Sequence, residues 1–470
     1  MSQPAATGLA NNLKKRHLSM IAIAGVIGAG LFVGSGSVIR QAGPGAVLAY
    51  AGAGIVVILV MRMLGEMSTL NPDTGSFSTY ADRAIGRWAG FSIGWLYAWF
   101  WIIVLGVEAT AGALILNRWV PDVPQWAWAL GLMVVLTLTN VISTKFFGEF
   151  EFWFAGIKVV AIAAFIVVGV LAIAGLIPGV TPPGLTNLVD HGGLFPNGAA
   201  AIGSAILVVV FSFVGSEIAT IAAGETANPV AAVRSAVRSV LWRIMLFYIL
   251  SMTIVVTLLP WDSASVATSP FVAVIDSLGF PGAATVMDVI VLTSVLSCLN
   301  SGMYTASRML FSLAKRGDAP ARIARASAGG TPRAAVLVAT LVGFFTVALN
   351  YLYPDTVFLF LVNSSGAIAL FVWLVIAISQ LRMRRLVERA GIALPLRMWL
   401  YPYLTWATII AITALCAGML LQEETRSQLF LSGGLAVVLI AIGVARYRGT
   451  VSPMPAVESP SRVTDQLVER

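Results

Sequence analysis

The sequence predicts an all-α integral membrane protein with 12 transmembrane helices, and three observations carry this. Of the 470 residues, 58% are hydrophobic and 11% charged, where soluble domains hold roughly 25% charged residues; mean hydropathy is +0.90. Twelve apolar runs approach the roughly 17–25 residues that cross a hydrocarbon core. Lys and Arg fall almost wholly on one side of those runs, as insertion demands.

The spans fall at 18–39, 46–64, 89–116, 126–143, 152–176, 199–222, 240–260, 284–306, 334–353, 357–379, 402–421 and 428–446. With the N-terminus inside, 25 of the 29 Lys and Arg lie on the inner side. Arg40, Arg118 and Arg426 lie outside, and Lys158 sits within a span. The net charge of +8 is therefore a topology signal and not a nucleic-acid footprint. The first span is too long for a cleavable signal peptide.

The first span contains Gly25-Val-Ile-Gly-Ala-Gly-Leu-Phe-Val-Gly-Ser-Gly36. Glycine is a poor helix former, so the helix is expected to break at Ile27, Gly28, Ala29 and Gly30. Unwound backbone is tolerated in a bilayer only against protein, ligand or water. The other reading of these glycines is close helix packing.

The third span is long and carries Glu108. Its carboxylate reads either as a partner of Thr110 or outer water, or as a counter-ion for a substrate amine. In the fifth span Lys158 lies about six residues, roughly 9 Å, beyond Phe152. It either snorkels to the interface or presents a tethered cation to the carbonyls of the first break. A desolvated lysine that loses and regains a proton points to proton coupling.

The sixth span reads Phe211-Ser-Phe-Val-Gly-Ser-Glu217. Gly215 and Ser216 weaken the helix, and Glu217 follows as a cap for freed N–H groups or as a protonatable gate. Phe211 and Phe213 are core or lipid-facing aromatics, or the lid or wall of a small pocket beside Ser212. Two interrupted spans five apart point to an inverted repeat with the site between the breaks. A broken helix offers N–H groups to a carboxylate and carbonyls to an ammonium group, so a zwitterion suits it.

In the later spans Asn300 and Ser301 suit helix–helix hydrogen bonds, and Cys298 and Cys416 read as small packing residues. No metal-ligand or disulfide framework is expected. The expected division is a cytoplasmic tail 1–16, repeat one 17–176, an external loop 177–198 and repeat two 199–380. A cytoplasmic loop 381–401, two further helices in 402–446 and a disordered cytoplasmic tail 447–470 complete it.

Several motifs act together. They are Lys14-Lys-Arg-His17 before the glycine run, Arg62-Met-Leu-Gly-Glu66-Met, and Gly148-Glu-Phe-Glu-Phe-Trp-Phe ahead of Lys158. Phe211 to Glu217, Ser297 to Arg308, and Ser364-Ser-Gly-Ala-Ile-Ala through Gln380-Leu-Arg-Met-Arg384 complete the set. By these the chain resembles the amino acid permeases of the amino acid–polyamine–organocation superfamily, from about Leu13 to Arg448. Glu108 in its setting is similar to the γ-aminobutyrate members.

The resemblance implies a LeuT-type fold of five plus five inverted spans with two extra C-terminal helices, and with helices 1 and 6 discontinuous. It implies import of a small zwitterionic amino acid, γ-aminobutyrate first, by proton symport with alternating access at the plasma membrane. The backbone around Gly28, Ala29 and Gly30 would take the carboxylate, beside Ile27, with Phe211 at the aromatic gate. Lys158 falls where a lysine replaces sodium, and Glu217 on a protonatable position. No cofactor and no sodium site are expected; the partners are substrate, protons and the lipid bilayer. Relatives for D-alanine, D-serine and glycine, for proline or for aromatic amino acids share most of these motifs. An exchanger, a non-transporting amino acid receptor, a channel and a membrane enzyme are the remaining readings. With only His17 and His191, and no polar stripe of pore length, the last two lack their chemistry.

Overall fold

Inside a hydrocarbon layer every backbone N–H and C=O must be satisfied by the chain itself, and a helix does so locally. In the computed structural model, which describes residues 26–73, 75–142, 144–223, 228–327 and 330–450, helices are the regular structure and no strand occurs among the described residues. The first-span segment up to Gly25, the tail 1–16 and the tail beyond 450 lie outside the described residues.

Val26 to Gly28 are non-helical, and a π-helical turn, Gly30–Gly34, leads into α1 (Ser35–Ala42). After Gly43-Pro44-Gly45 the chain returns as α2 (Ala46–Leu70), followed by α3 (Ser76–Ala84), α4 (Arg87–Trp119), α5 (Gln125–Ile142) and α6 (Thr144–Ile173). A connection carrying α7 (Thr186–Val189) leads to α8 (Ala200–Phe213) and α9 (Ile218–Ala223). Then come α10 (Pro229–Arg243), a π-helical stretch Ile244–Leu250, α11 (Ser251–Leu258), α12 (Ala264–Thr268) and α13 (Pro270–Ser277). The chain ends with α14 (Ala283–Lys315), α15 (Arg333–Leu352), α16 (Val357–Arg389), α17 (Tyr403–Leu421) and α18 (Glu423–Tyr447).

Among the described residues ten helical stretches are long and apolar enough to cross a membrane, and Ala200–Phe213 is a shorter apolar helix. Their outward faces are apolar: Val160, Leu341, Phe345, Ile410 and Leu421 are all exposed. The chain is a multi-pass membrane protein by both criteria.

The centre of the bundle is α4, whose face is buried from Ala89 to Ile115. It packs against α3, α5, α14, α16 and α18. Beside it, α8 packs against α1, α2, α16 and the π-helical turn at Gly30–Gly34. This brings the interrupted segment of the sixth span against the non-helical Val26 to Gly28 and the helix opening that follows them in the first.

One boundary differs from the expectation in a way that matters. The helix of the fifth span begins at Thr144, not near 152, so Glu151 lies inside it and is fully buried. Apolar length misses this because an inward-facing carboxylate needs a polar partner, not an apolar neighbour. Ser297 donates to Glu151 Oε1 at 2.5 Å and Asn300 to its Oε2 at 3.3 Å.

Candidate functional site

The sixth-span helix stops where its sequence is weakest. α8 ends at Phe213, Val214 is extended (φ −65°, ψ 147°), Gly215 takes φ +102°, and helix resumes at Ile218. A φ of that sign strains a residue with a Cβ, which is why glycine stands there. Phe213 and Val214 therefore leave carbonyls outside the ladder, and Ser216 Oγ donates back to Phe213 O at 3.0 Å.

The carboxylate of Glu217 turns back into this break. Its Oε2 accepts the Gly215 N–H at 3.1 Å, and its Oε1 accepts the Tyr97 hydroxyl of α4 at 3.0 Å. The capping expected of Glu217 is thus made to Gly215.

In the first break, Gly28 O accepts the N–H groups of Leu31 and Phe32, both at 3.2 Å, and so opens the helix. The Ala29 N–H in this opening turn points sideways into the bundle. It donates to Glu108, 3.2 Å from Oε1 and 3.1 Å from Oε2. Glu108 is buried, and the Cys298 thiol lies against the same carboxylate. Thr110, by contrast, donates to Gly106 O at 2.7 Å.

The close approach needs two glycines. A Cβ on Gly28 would stand 2.6 Å from Glu108 Oε1 and 2.7 Å from Cys298 Cβ. A Cβ on Gly30 would stand 2.8 Å from Ser212 Cα in the second break.

The two breaks enclose a cavity of about 10 Å³ lined by Gly28, Gly30, Trp101, Glu108, Phe211 and Cys298, with Val26, Phe100, Val104, Ser212 and Val214 completing it. That space is about what a single water requires. Ile27, Ala29, Phe213 and Gly215 are buried behind this lining, though Ala29 reaches it through its N–H. Phe213 turns away, edge-on to Tyr50 with centroids 5.9 Å apart and tilted on Tyr248 at 4.7 Å.

Tyr248 joins the two breaks. Its hydroxyl stands between two carbonyls, 2.9 Å from Val26 O and 2.7 Å from Ser212 O. The π-helical stretch Ile244–Leu250 adds residues per turn and so re-aims a side chain within a spanning helix.

Lys158 is fully buried rather than extended to the interface. The carboxyl groups of Glu151 and Glu108 bear on its ammonium group, Glu151 more strongly. Lys158 and Glu217 do not line the cavity.

Sequence reasoning missed Phe100, Trp101, Tyr97, Tyr248, Glu151 and the cavity-lining role of Cys298. For Trp101, Val104 and Glu108 a signal existed: spacings of three and four place them on one face of α4. For Cys298, read as packing, none did; its neighbour Glu108 belongs to a helix far away in the chain.

Comparison with known proteins bears on the family and the fold. The family described as "Amino acid permease" matches residues 17–449. The chain is 56% identical over 444 residues to the gamma-aminobutyric acid permease of Bacillus subtilis, covering 94% of this chain and 95% of that protein. It is 50% identical over 440 residues to the gamma-aminobutyric acid permease of Escherichia coli, covering 93% and 94%. In fold it is similar to the crystal structure of a mutant manganese transporter from Eremococcus coleocola, with a TM-score of 0.58, 12% identity and 92% of each chain covered. These are LeuT-like transporter folds.

Proposed function

The chain belongs to the amino acid permease family, a family of transporters and not of enzymes, and from that premise we propose that it imports a small zwitterionic amino acid, γ-aminobutyrate, by proton symport. The relatives' names support the substrate. The observation that carries the reading is the Glu108 carboxylate held on the Ala29 N–H at a cavity wall between two helix breaks. A carboxylate already fits the site that a substrate carboxylate would take.

In this reading the spans number twelve, helices one and six are discontinuous, and both termini are cytoplasmic. Residues 17–176 and 199–380 are the inverted repeats, with 402–446 appended. The substrate carboxylate takes the N–H groups at Ile27 to Gly30, displacing Glu108 from Ala29. Glu108 then pairs with the amine, which also meets the sixth-span carbonyls of Ser212, Phe213 and Gly215, held in this state by Tyr248, Ser216 and Ile218. Charge-assisted hydrogen bonds of this kind are worth about 1.5–3 kcal/mol each. Phe211 forms the aromatic wall that closes over the aliphatic chain.

A cavity of about 10 Å³ does not hold seven heavy atoms. The site must therefore open to load, which supports alternating access by rocking of one bundle against the other. Lys158 supplies the fixed cation that a sodium ion would otherwise provide, and Lys158 with Glu217 couples proton movement to the two broken helices. No cofactor enters the scheme.

The test is uptake of labelled γ-aminobutyrate into proteoliposomes under an imposed proton gradient, with competition by glycine, D-alanine, D-serine, proline and phenylalanine. Gradient-dependent accumulation, displaced by γ-aminobutyrate far better than by the others, is the expected result. Accumulation indifferent to the proton gradient, or stronger competition by another amino acid, overturns the corresponding half of the proposal.

A further inference from the structure

A second cavity lies away from the broken helices. It measures about 450 Å³ and is lined by Ile58, Arg62, Arg234, Val237, Arg238, Pro395, Leu396 and Trp399. That is within the roughly 300–1,000 Å³ of small-molecule sites. Three guanidinium groups line it and, among the described residues, no carboxylate does. Glu66, one turn from Arg62, attracts that guanidinium, yet its oxygens already accept from Gln380, Arg384 and the Met398 N–H.

The walls are held in place. Arg62 Nε donates to Arg397 O at 2.8 Å, and its guanidinium lies 4.7 Å from the Trp399 ring centroid. Arg234 donates to Pro395 O at 2.7 Å. These contacts anchor the segment between α16 and α17 to α2 and α10. Arg238 lines the same cavity and makes no hydrogen bond or ion pair among the described residues.

The rim is apolar. Trp242 is 60% exposed and stands one turn beyond Arg238 along the same helical face, and Met245, 50% exposed, follows it at the start of the π-helical stretch. Trp399 and Leu400 are exposed on the opposite edge. A basic pocket at a membrane face, continued sideways by exposed apolar side chains, matches an amphiphile: a phosphate among the arginines and acyl chains along Trp242 and Met245. Basic pockets between spanning helices hold anionic headgroups in this way.

We propose that this cavity binds the phosphodiester headgroup of an anionic phospholipid, with Arg62, Arg234 and Arg238 as its ligands. The site is separate from the cavity at Gly28 and Glu108 and does not depend on what is transported. The apolar rim selects the lipid over free phosphate.

The test uses full-length protein in detergent, titrated with phosphatidylglycerol or phosphatidylcholine and read by native mass spectrometry. Phosphatidylglycerol is expected to be retained about tenfold better than phosphatidylcholine. Arg238→Gln, which breaks no hydrogen bond, should lower that retention about fivefold, the contribution of one basic residue at a membrane surface. Arg234→Gln combined with Arg238→Gln should abolish the preference, while the control Arg322→Gln with Arg325→Gln leaves it. Equal retention of the two lipids, or a preference that survives the Arg234 and Arg238 changes, overturns the proposal. Displacement of phosphatidylglycerol by an equal concentration of inorganic phosphate overturns the lipid assignment and leaves a free-anion site.

Discussion

The carboxylate of Glu108 accepts the backbone N–H of Ala29 at 3.1 Å, across 79 residues of chain. One side chain of α4 thus holds the opening turn of the first helix. The same carboxylate faces the cavity between the breaks. Glu108→Gln keeps the shape but loses the charge. The KM for γ-aminobutyrate in proteoliposome uptake should rise about tenfold, the loss of one charge-assisted hydrogen bond; an unchanged KM removes Glu108 from the substrate.

Gly28 tests the same contact from the other side. Gly28→Ala forces a Cβ to 2.6 Å from Glu108 Oε1 and 2.7 Å from Cys298 Cβ. Uptake should fall about tenfold or more, because crowding a close-packed site costs about 1–3 kcal/mol. Gly52→Ala is the matched control: nothing stands within 4 Å of a Cβ there, and uptake should be retained.

Lys158 and Glu151 are both buried on one helix, and Glu151 is the strongest electrostatic attraction on the lysine. Lys158→Ala removes the main counter-charge of the buried Glu151 carboxyl, and breaking a buried pair of this kind costs about 3–5 kcal/mol. Detergent-solubilised protein should lose several degrees of thermal stability, and proton-driven accumulation should vanish. Lys158→Met with Glu151→Gln should recover the stability but not the accumulation. Recovery of both would reduce Lys158 to a structural role.

Tyr248→Phe removes the hydroxyl shared by Val26 O and Ser212 O. Each carbonyl left without a donor costs about 1–3 kcal/mol. The maximal uptake rate should drop several-fold with the protein still folded by size-exclusion chromatography and circular dichroism. A rate equal to wild type would show that the two breaks do not need this tie.

Asp318, outside the spanning helices, gathers three elements. It accepts Arg87 at 3.1 Å and the Tyr447 hydroxyl at 2.8 Å, and pairs with Arg316 at 3.3 Å. Burial lowers the Arg316 pKa, and the charges of Asp318 and Asp82 oppose that shift. Asp318→Asn should lower the melting temperature by several degrees, since two half-buried guanidinium groups lose their partner. The KM for substrate should stay unchanged, because this cluster is remote from the cavity between the breaks.

Much of this protein was legible in its sequence. Membrane class follows from the length and apolarity of the runs, and the bias of Lys and Arg gives the orientation adopted above. Gly28, Gly30 and Gly215 marked where helix is weak, because propensity is local to a few residues. Lys158 and Glu217 stood out because a charge inside an apolar run is costly.

What a residue meets across the bundle was not legible. Glu151 lay one residue before the expected span, and only the packing of α6 against α14 shows that Ser297 and Asn300 satisfy it. Phe213 and Phe211 looked alike in the sequence, yet one faces the aromatic cluster and the other the cavity. The rotation of α8 about its own axis decides that, since two residues lie about 200° apart around a helix. Sequence by itself determined where helices form and where they fail, since both depend on neighbouring residues. Tertiary structure alone decided that Glu108 reaches Ala29, that Tyr248 stands between Val26 O and Ser212 O and that Arg238 faces a basic pocket with Arg62 and Arg234. Those meetings depend on helix rotation and packing over long chain separations, which no local pattern encodes.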